Sequence, residues 1–102
     1  MRIQAEKAAA FRALHERQSI FVMPNPWDVG SARLLASLGF EALATTSAGF
    51  AYSLGLADNT PDRTANLEHC RAIVEAVDLP ISADLGDADM QAVVSALVKA
   101  TR

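Results

Sequence analysis

Apolar and polar positions alternate between two periods along this chain. Ala10, Phe11 and Leu14 recur at helical spacing between Glu6 and Arg17, which predicts a leading helix. Ile20-Phe21-Val22-Met23 is a short continuous apolar run, stopped by Pro24-Asn25-Pro26. A run of that length beside two prolines predicts a buried strand rather than a helix. Asp28 suits an N-cap, because its carboxylate can accept from the free amides of the turn that follows. Val29, Ala32, Leu35 and Leu38 then form one apolar stripe, and Gly39 is placed to end that helix as its C′ residue.

Ala42-Leu43-Ala44-Thr45-Thr46 predicts a second strand, running into a small-residue turn at Ser47-Ala48-Gly49 and a loop from about Tyr52 to Asn59. Thr60-Pro61 reads as the N-cap and first position of a further helix, with Leu67, Cys70, Ile73, Val74 and Val77 on its buried face. Pro80-Ile81-Ser82-Ala83-Asp84-Leu85 predicts a third strand, with proline at its first position, where a missing amide is tolerated. Asp87 or Asp89 can cap a last helix that turns Val93, Val94, Leu97 and Val98 inward. The resulting order, a helix followed by three βα units, predicts an α/β chain with a parallel sheet and right-handed crossovers.

Length narrows this picture. At 102 residues the chain is one unit, residues 1–102, and is too short for a closed eight-unit α/β barrel of about 250 residues. Nine basic and 12 acidic side chains give a formal net charge of −3, and no basic run is present. That balance argues against nucleic acid as a partner. No apolar stretch reaches the roughly 18 residues of a membrane span, and the N-terminus has no secretion-signal pattern. A single cysteine, Cys70, cannot close an internal disulfide, so a reducing, cytoplasmic setting is expected.

In parallel α/β folds, ligands lie beyond the carboxyl ends of the strands. Three segments meet that condition: Asn25, Trp27 and Asp28; Thr45 to Gly49; and Asp84 with Asp87 nearby. The small residues of the second segment admit a ligand close to the backbone, and its hydroxyls and amides suit a carboxylate or phosphate. The same residues also suit a plain tight turn. Asp84 is a hard oxygen donor of the kind Mg²⁺ takes, or else the start of a helix cap. Asp58 is either a loop acid supporting such a metal or a solvated charge. His15 is expected to be exposed, and His69 and Cys70 to face away from the ligand end. Cys70 reads as a small core residue. Trp27 either lines the pocket mouth or closes the end of the fold. Gly-rich phosphate loops and nucleophile elbows are absent from the sequence.

Pro24-Asn25-Pro26-Trp27-Asp28-Val29-Gly30-Ser31-Ala32-Arg33 resembles the first strand-to-helix segment of the isocitrate lyase/phosphoenolpyruvate mutase family, whose members include 2-methylisocitrate lyase. Leu43 to Phe50 with Ser53-Leu54-Gly55 resembles its second strand and loop, and Pro80 to Leu85 its third strand. The resemblance runs from about Phe11 to the C-terminus. It implies the first three units of a (β/α)₈ barrel, Mg²⁺ as cofactor, and lyase or mutase chemistry on a C–C or P–C bond next to a 2-oxo acid. It further implies a small carboxylic-acid substrate and leaves a homo-oligomer open.

By position, the resemblance gives Thr46, Ser47 and Ala48 the substrate carboxylate, Asp84 the metal, and Asp58 a place in the metal's support through water. Two departures stand beside it. Leu85 leads straight into Gly86-Asp87 where the family has a second acid and a Gly-aromatic-Gly turn, so that acid is either missing or partly replaced by Asp87. The family's strand-four acid and its general acid/base loop find no match, so no catalytic residue is assigned. The expectation is therefore a truncated barrel piece of that family. A catalytically inactive remnant and a small α/β binding domain are the alternatives.

Overall fold

The computed structural model describes residues 2–85. The helix expected beyond Asp87 or Asp89, and Asp87 itself, lie outside the described residues. In order, the chain forms α1 (Gln4–Glu16), α2 (Val29–Ser37), β1 (Leu43–Ala44), α3 (Ser47–Ser53), α4 (Arg63–Ala76) and β2 (Ile81–Ser82). β1 and β2 pair in parallel, with Leu43 opposite Ile81 and Ala44 opposite Ser82. The ladder bonds flanking this pairing are Leu43 N–H to Pro80 O at 3.1 Å and Thr45 N–H to Ser82 O at 2.8 Å. Pro80 thus contributes its carbonyl where its missing amide costs nothing.

Each helix start has a local cause. Asp28 caps α2 by accepting from the Ser31 amide at 2.7 Å, as its position predicts. Leu38 ends α2 and Gly39 follows at φ +94°, a left-handed turn that glycine makes without strain. At α1 the Glu6 carboxylate accepts from the Ile3 amide at 3.2 Å, half of a capping box, since Ile3 has no side-chain oxygen to return the bond. α4 is capped by Asp62, which accepts from the Ala65 amide at 2.9 Å. The cap expected at Thr60-Pro61 therefore falls two residues later. Thr60 instead closes a turn onto Ala57 O at 3.1 Å.

Two other expectations are corrected. Ile20 to Met23 is not a strand. Between this segment and β1 runs one backbone bond, Ala44 N–H to Pro24 O at 3.0 Å, joined by Asn25 Nδ2 donating to Ala44 O at 3.0 Å. Ile20 and Val22 are 88% and 62% exposed, so the apolar run lacks the burial that would make a strand of it. Among the described residues the sheet accordingly has two strands rather than three. Ser47-Ala48-Gly49 is not a turn either. It is the first turn of α3, because the Thr46 hydroxyl accepts from the Gly49 amide at 3.2 Å and caps the helix.

The core lies between α2, α4 and the sheet. Ala32, Leu43, Ile73 and Val77 are buried together, and Val29, Leu35, Phe40, Leu79 and Ile81 pack around them. Full burial of side chains such as Leu43 and Ile73 contributes about 1.5–3 kcal/mol each. α1 is fastened to this core by a residue with no apolar logic. Lys7 is buried, and its Nζ donates to Val74 O at 3.0 Å and Val77 O at 2.9 Å. A cation thereby satisfies carbonyls at the C-terminal end of α4, where the helix dipole favours positive charge. Arg2 and Asp78 form an exposed ion pair beside it.

Candidate functional site

The carboxyl ends of β1 and β2 deliver Thr45, Thr46 and Asp84 to one corner of the molecule. Asp84 is solvent-exposed, and its Oδ2 accepts from both the backbone amide and the Oγ of Ser47, each at 3.2 Å. Its own amide donates to Thr45 Oγ1 at 2.9 Å. Thr45 Oγ1 also lies 3.6 Å from Cys70 Sγ, within hydrogen-bond reach for sulfur. One polar chain thus links α4, β1, the end of β2 and the start of α3.

The expected site residues divide on this geometry. Ser47 and Asp84 are in direct contact. Thr46 turns its hydroxyl to its own helix as the α3 cap. Ala48 follows in the first turn of α3 and is half-buried. Asp58 lies in an exposed turn, where its carboxylate accepts from the Asn59 amide at 2.9 Å. Asn59 there adopts φ +64°, a left-handed conformation that asparagine tolerates.

Aromatic side chains pack against α3. Gly49 faces the Trp27 indole so closely that a Cβ on it would sit 2.4 Å from two ring atoms and 2.6 Å from Thr46 Cγ2. Trp27 is 45% exposed and reaches Tyr52 at 6.0 Å between ring centroids. It therefore flanks the start of α3 at this corner. The expectation that His69 and Cys70 face away from the ligand end is corrected. Cys70 is buried as a core residue but meets Thr45, and the His69 ring stacks on Phe50 of α3 at 4.1 Å and 15°. α4 packs under α3, where the sequence predicts a turn at Ser47-Ala48-Gly49 and a loop from about Tyr52, and this brings both side chains to the corner. His15 is exposed as expected, with Nδ1 2.8 Å from Phe11 O.

Burial sets the ionisation of this region. Among the described residues, His69 Nε2 is buried with no hydrogen-bond partner. Desolvation holds its pKa below the ordinary value, against a smaller opposing pull from Asp28. Burial also pushes the Cys70 thiol up, partly offset by the Thr45 contact and reinforced by the Asp84 charge. Asp28 is held below the usual carboxylate range, first by the Ser31 amide bond.

Among the described residues, the donors presented at the corner are oxygens: the Asp84 carboxylate with the Ser47 hydroxyl beside it. Among the described residues, no group of three or more His, Cys, Asp or Glu could hold a metal ion. A protein-built cage is thus missing from these residues. A single hard carboxylate still fits Mg²⁺, which keeps several waters and takes one or two carboxylates plus substrate oxygens. Among the described residues no helix is long and apolar enough to cross a membrane.

The family model for phosphoenolpyruvate phosphomutase matches residues 11–101. This chain belongs to that family. Its structure is similar to a candidate lyase/mutase from Burkholderia cenocepacia J2315, with 52% identity and a TM-score of 0.85 over 96% of this chain and 38% of the other. A candidate phosphonomutase from the same organism matches at 35% identity and a TM-score of 0.81, over 94% of this chain and 40% of that one. The 2,3-dimethylmalate lyase of the phosphoenolpyruvate mutase/isocitrate lyase superfamily matches at 33% and 0.66, over 76% and 28%. Two uncharacterized Mycobacterium tuberculosis proteins, one from each of two strains, are 37% identical over 79 residues, which is 76% of this chain and 30% of theirs. The chain thus spans about a third of the length of the relatives it matches. The family expected from the motifs is the family found, and the described part is a mixed α/β unit of the corresponding superfamily fold.

Proposed function

We propose that this chain supplies the metal- and carboxylate-binding corner of a lyase or mutase acting next to a 2-oxo acid. The contact that carries the reading is Ser47 holding Asp84 by two donors at the carboxyl end of the sheet. Asp84 would hold Mg²⁺ together with water and substrate oxygens, and Asp58 would support it through water. A Mg²⁺ ion held there would supply Lewis-acid stabilisation of negative charge developing on the substrate.

The chain's own residues do the binding. The Ser47 amide and hydroxyl are both spent on Asp84. Release of Asp84 frees them for a substrate carboxylate, with Thr46 and Ala48 forming the rest of that small-residue wall. Trp27 flanks the start of α3 at this corner and would limit water on that side. Support for a C–C or P–C bond as the target comes from the family and from the lyase and mutase descriptions of the matched structures. The substrate class is a small carboxylic acid, a 2-oxo acid or a substituted malate. Cytoplasmic location accords with one buried, free cysteine.

Calorimetric titration of the protein with Mg²⁺ in the presence of oxaloacetate tests this reading. Binding heat that disappears in Asp84→Asn supports it. Equal heats in both proteins, or none in the wild type, reject it.

A further inference from the structure

Thr45 holds a position where the parallel ladder changes its partner. The register pairs Leu43 with Ile81 and Ala44 with Ser82, so Thr45 stands opposite Ala83. In a continued parallel ladder, the Thr45 amide donates to the Ser82 carbonyl and the Asp84 amide donates to the Thr45 carbonyl. The first bond is present at 2.8 Å. For the second, the Asp84 amide is received by the side-chain hydroxyl of Thr45 at 2.9 Å. β2 ends at Ser82, and two residues later the carboxylate of Asp84 meets the start of α3.

We propose that Thr45 is the positioning residue of the site: its hydroxyl captures the Asp84 amide, ends the ladder, and turns the Asp84 carboxylate onto Ser47. This rests on the reading of Asp84 as the metal-holding group. Thr45 is only 2% exposed, so it acts through Asp84 and not on a ligand. Its backbone grips Ser82 and its side chain grips Asp84, which fixes the residues on both sides of the turn. The hydroxyl keeps a hydrogen for a further acceptor, and Cys70 Sγ at 3.6 Å lies in range. A buried hydroxyl with two such neighbours has little rotational freedom, so the orientation of the Asp84 amide is set before any ligand arrives.

A purely structural threonine would be replaceable by valine, which has nearly its shape. The test is amide hydrogen exchange by NMR on the wild type, Thr45→Val and Thr45→Ser. In Thr45→Val, exchange at Asp84 and at Ser47 is expected to speed up roughly five- to tenfold, the equilibrium value of one net hydrogen bond. The amide of Ile73 in the core reports that the fold is kept and is expected to hold its rate. Thr45→Ser, which keeps the hydroxyl, is expected to restore both rates to within about twofold.

Unchanged Ser47 exchange in Thr45→Val overturns the proposal. If that variant does not fold, the wild type decides. An Asp84 amide exchanging as fast as that of Ala57, an exposed residue outside helix and strand, overturns the proposal, and one protected like Leu43 supports it. Mn²⁺ titration of the same proteins separates the two ideas. A wild type that binds no Mn²⁺ sinks the metal reading while the exchange data still judge Thr45. Where Mn²⁺ binds, affinity weakened in Thr45→Val and rescued in Thr45→Ser is expected.

Discussion

Ser47 gives both its backbone amide and its hydroxyl to one oxygen of Asp84, at 3.2 Å each, across 37 residues of sequence. This pair ties the start of α3 to the end of β2. Ser47→Ala keeps the amide bond and removes the hydroxyl bond. A loss on the order of 1 kcal/mol is expected, since the contact is charge-assisted but solvent-screened. For a domain of this size that lowers Tm by about 4–8 °C, readable by circular dichroism. An unchanged Tm would show that the hydroxyl does not hold Asp84 in solution.

Gly49 is required by the packing of Trp27. A Cβ there would approach two indole atoms at 2.4 Å and Thr46 Cγ2 at 2.6 Å. Gly49→Ala is expected to cost about 1–3 kcal/mol, as overpacking does. Trp27 is the single tryptophan, so its displacement can be followed directly. A red shift of its fluorescence is expected; an unaltered spectrum with unaltered stability would contradict the contact.

Lys7 fastens α1 through two carbonyls at the end of α4. Lys7→Met keeps the apolar stem and removes the donors. A loss of about 1–3 kcal/mol in urea unfolding is expected, because two acceptors lose their partner. Stability equal to the wild type would mean that α1 is held by its apolar contacts alone.

His69 makes stability depend on pH. Its folded-state pKa lies below the ordinary 6.5, because burial disfavours the charged ring. The unfolded chain therefore binds a proton before the folded one does. The contribution of His69 is fully present above the ordinary value. It is lost as pH falls from there through the lower folded-state value. His69→Phe keeps a ring against Phe50 and removes the titration. Unfolding free energies between about pH 7.5 and about pH 5 are expected to fall less steeply in this variant. Identical slopes would place His69 in water.

Local signals were legible in the sequence and long-range ones were not. The Asp28 cap, the Gly39 stop and the burial of Cys70 and Ile73 follow from residue type and spacing. Asp84 at a strand end, and the family, also follow from the motifs. The strand expected at Ile20 to Met23 fails because apolarity describes a segment, while a strand needs partners. Among the described residues, one backbone bond to Pro24 and the Asn25 side chain join the segment to β1. α3 was hidden because Ser-Ala-Gly after a threonine suits both a turn and a capped helix, and the packing of Phe50 on His69 supports the helix. Lys7 carried no signal, and Thr45 was legible as part of the small-residue segment but not as the holder of the Asp84 amide. Their roles depend on carbonyls and an amide that lie 39 to 70 residues away.

The most direct test of the Asp84–Ser47 corner as a cation and carboxylate site is paramagnetic broadening of amide resonances by Mn²⁺ with oxaloacetate. Early loss of the Ser47 and Asp84 signals is expected, with survival of Lys7 and Val77 at the opposite end of the sheet. Asp84→Asn is expected to abolish the local loss. Broadening that ignores this corner, or that is the same in Asp84→Asn, would contradict it.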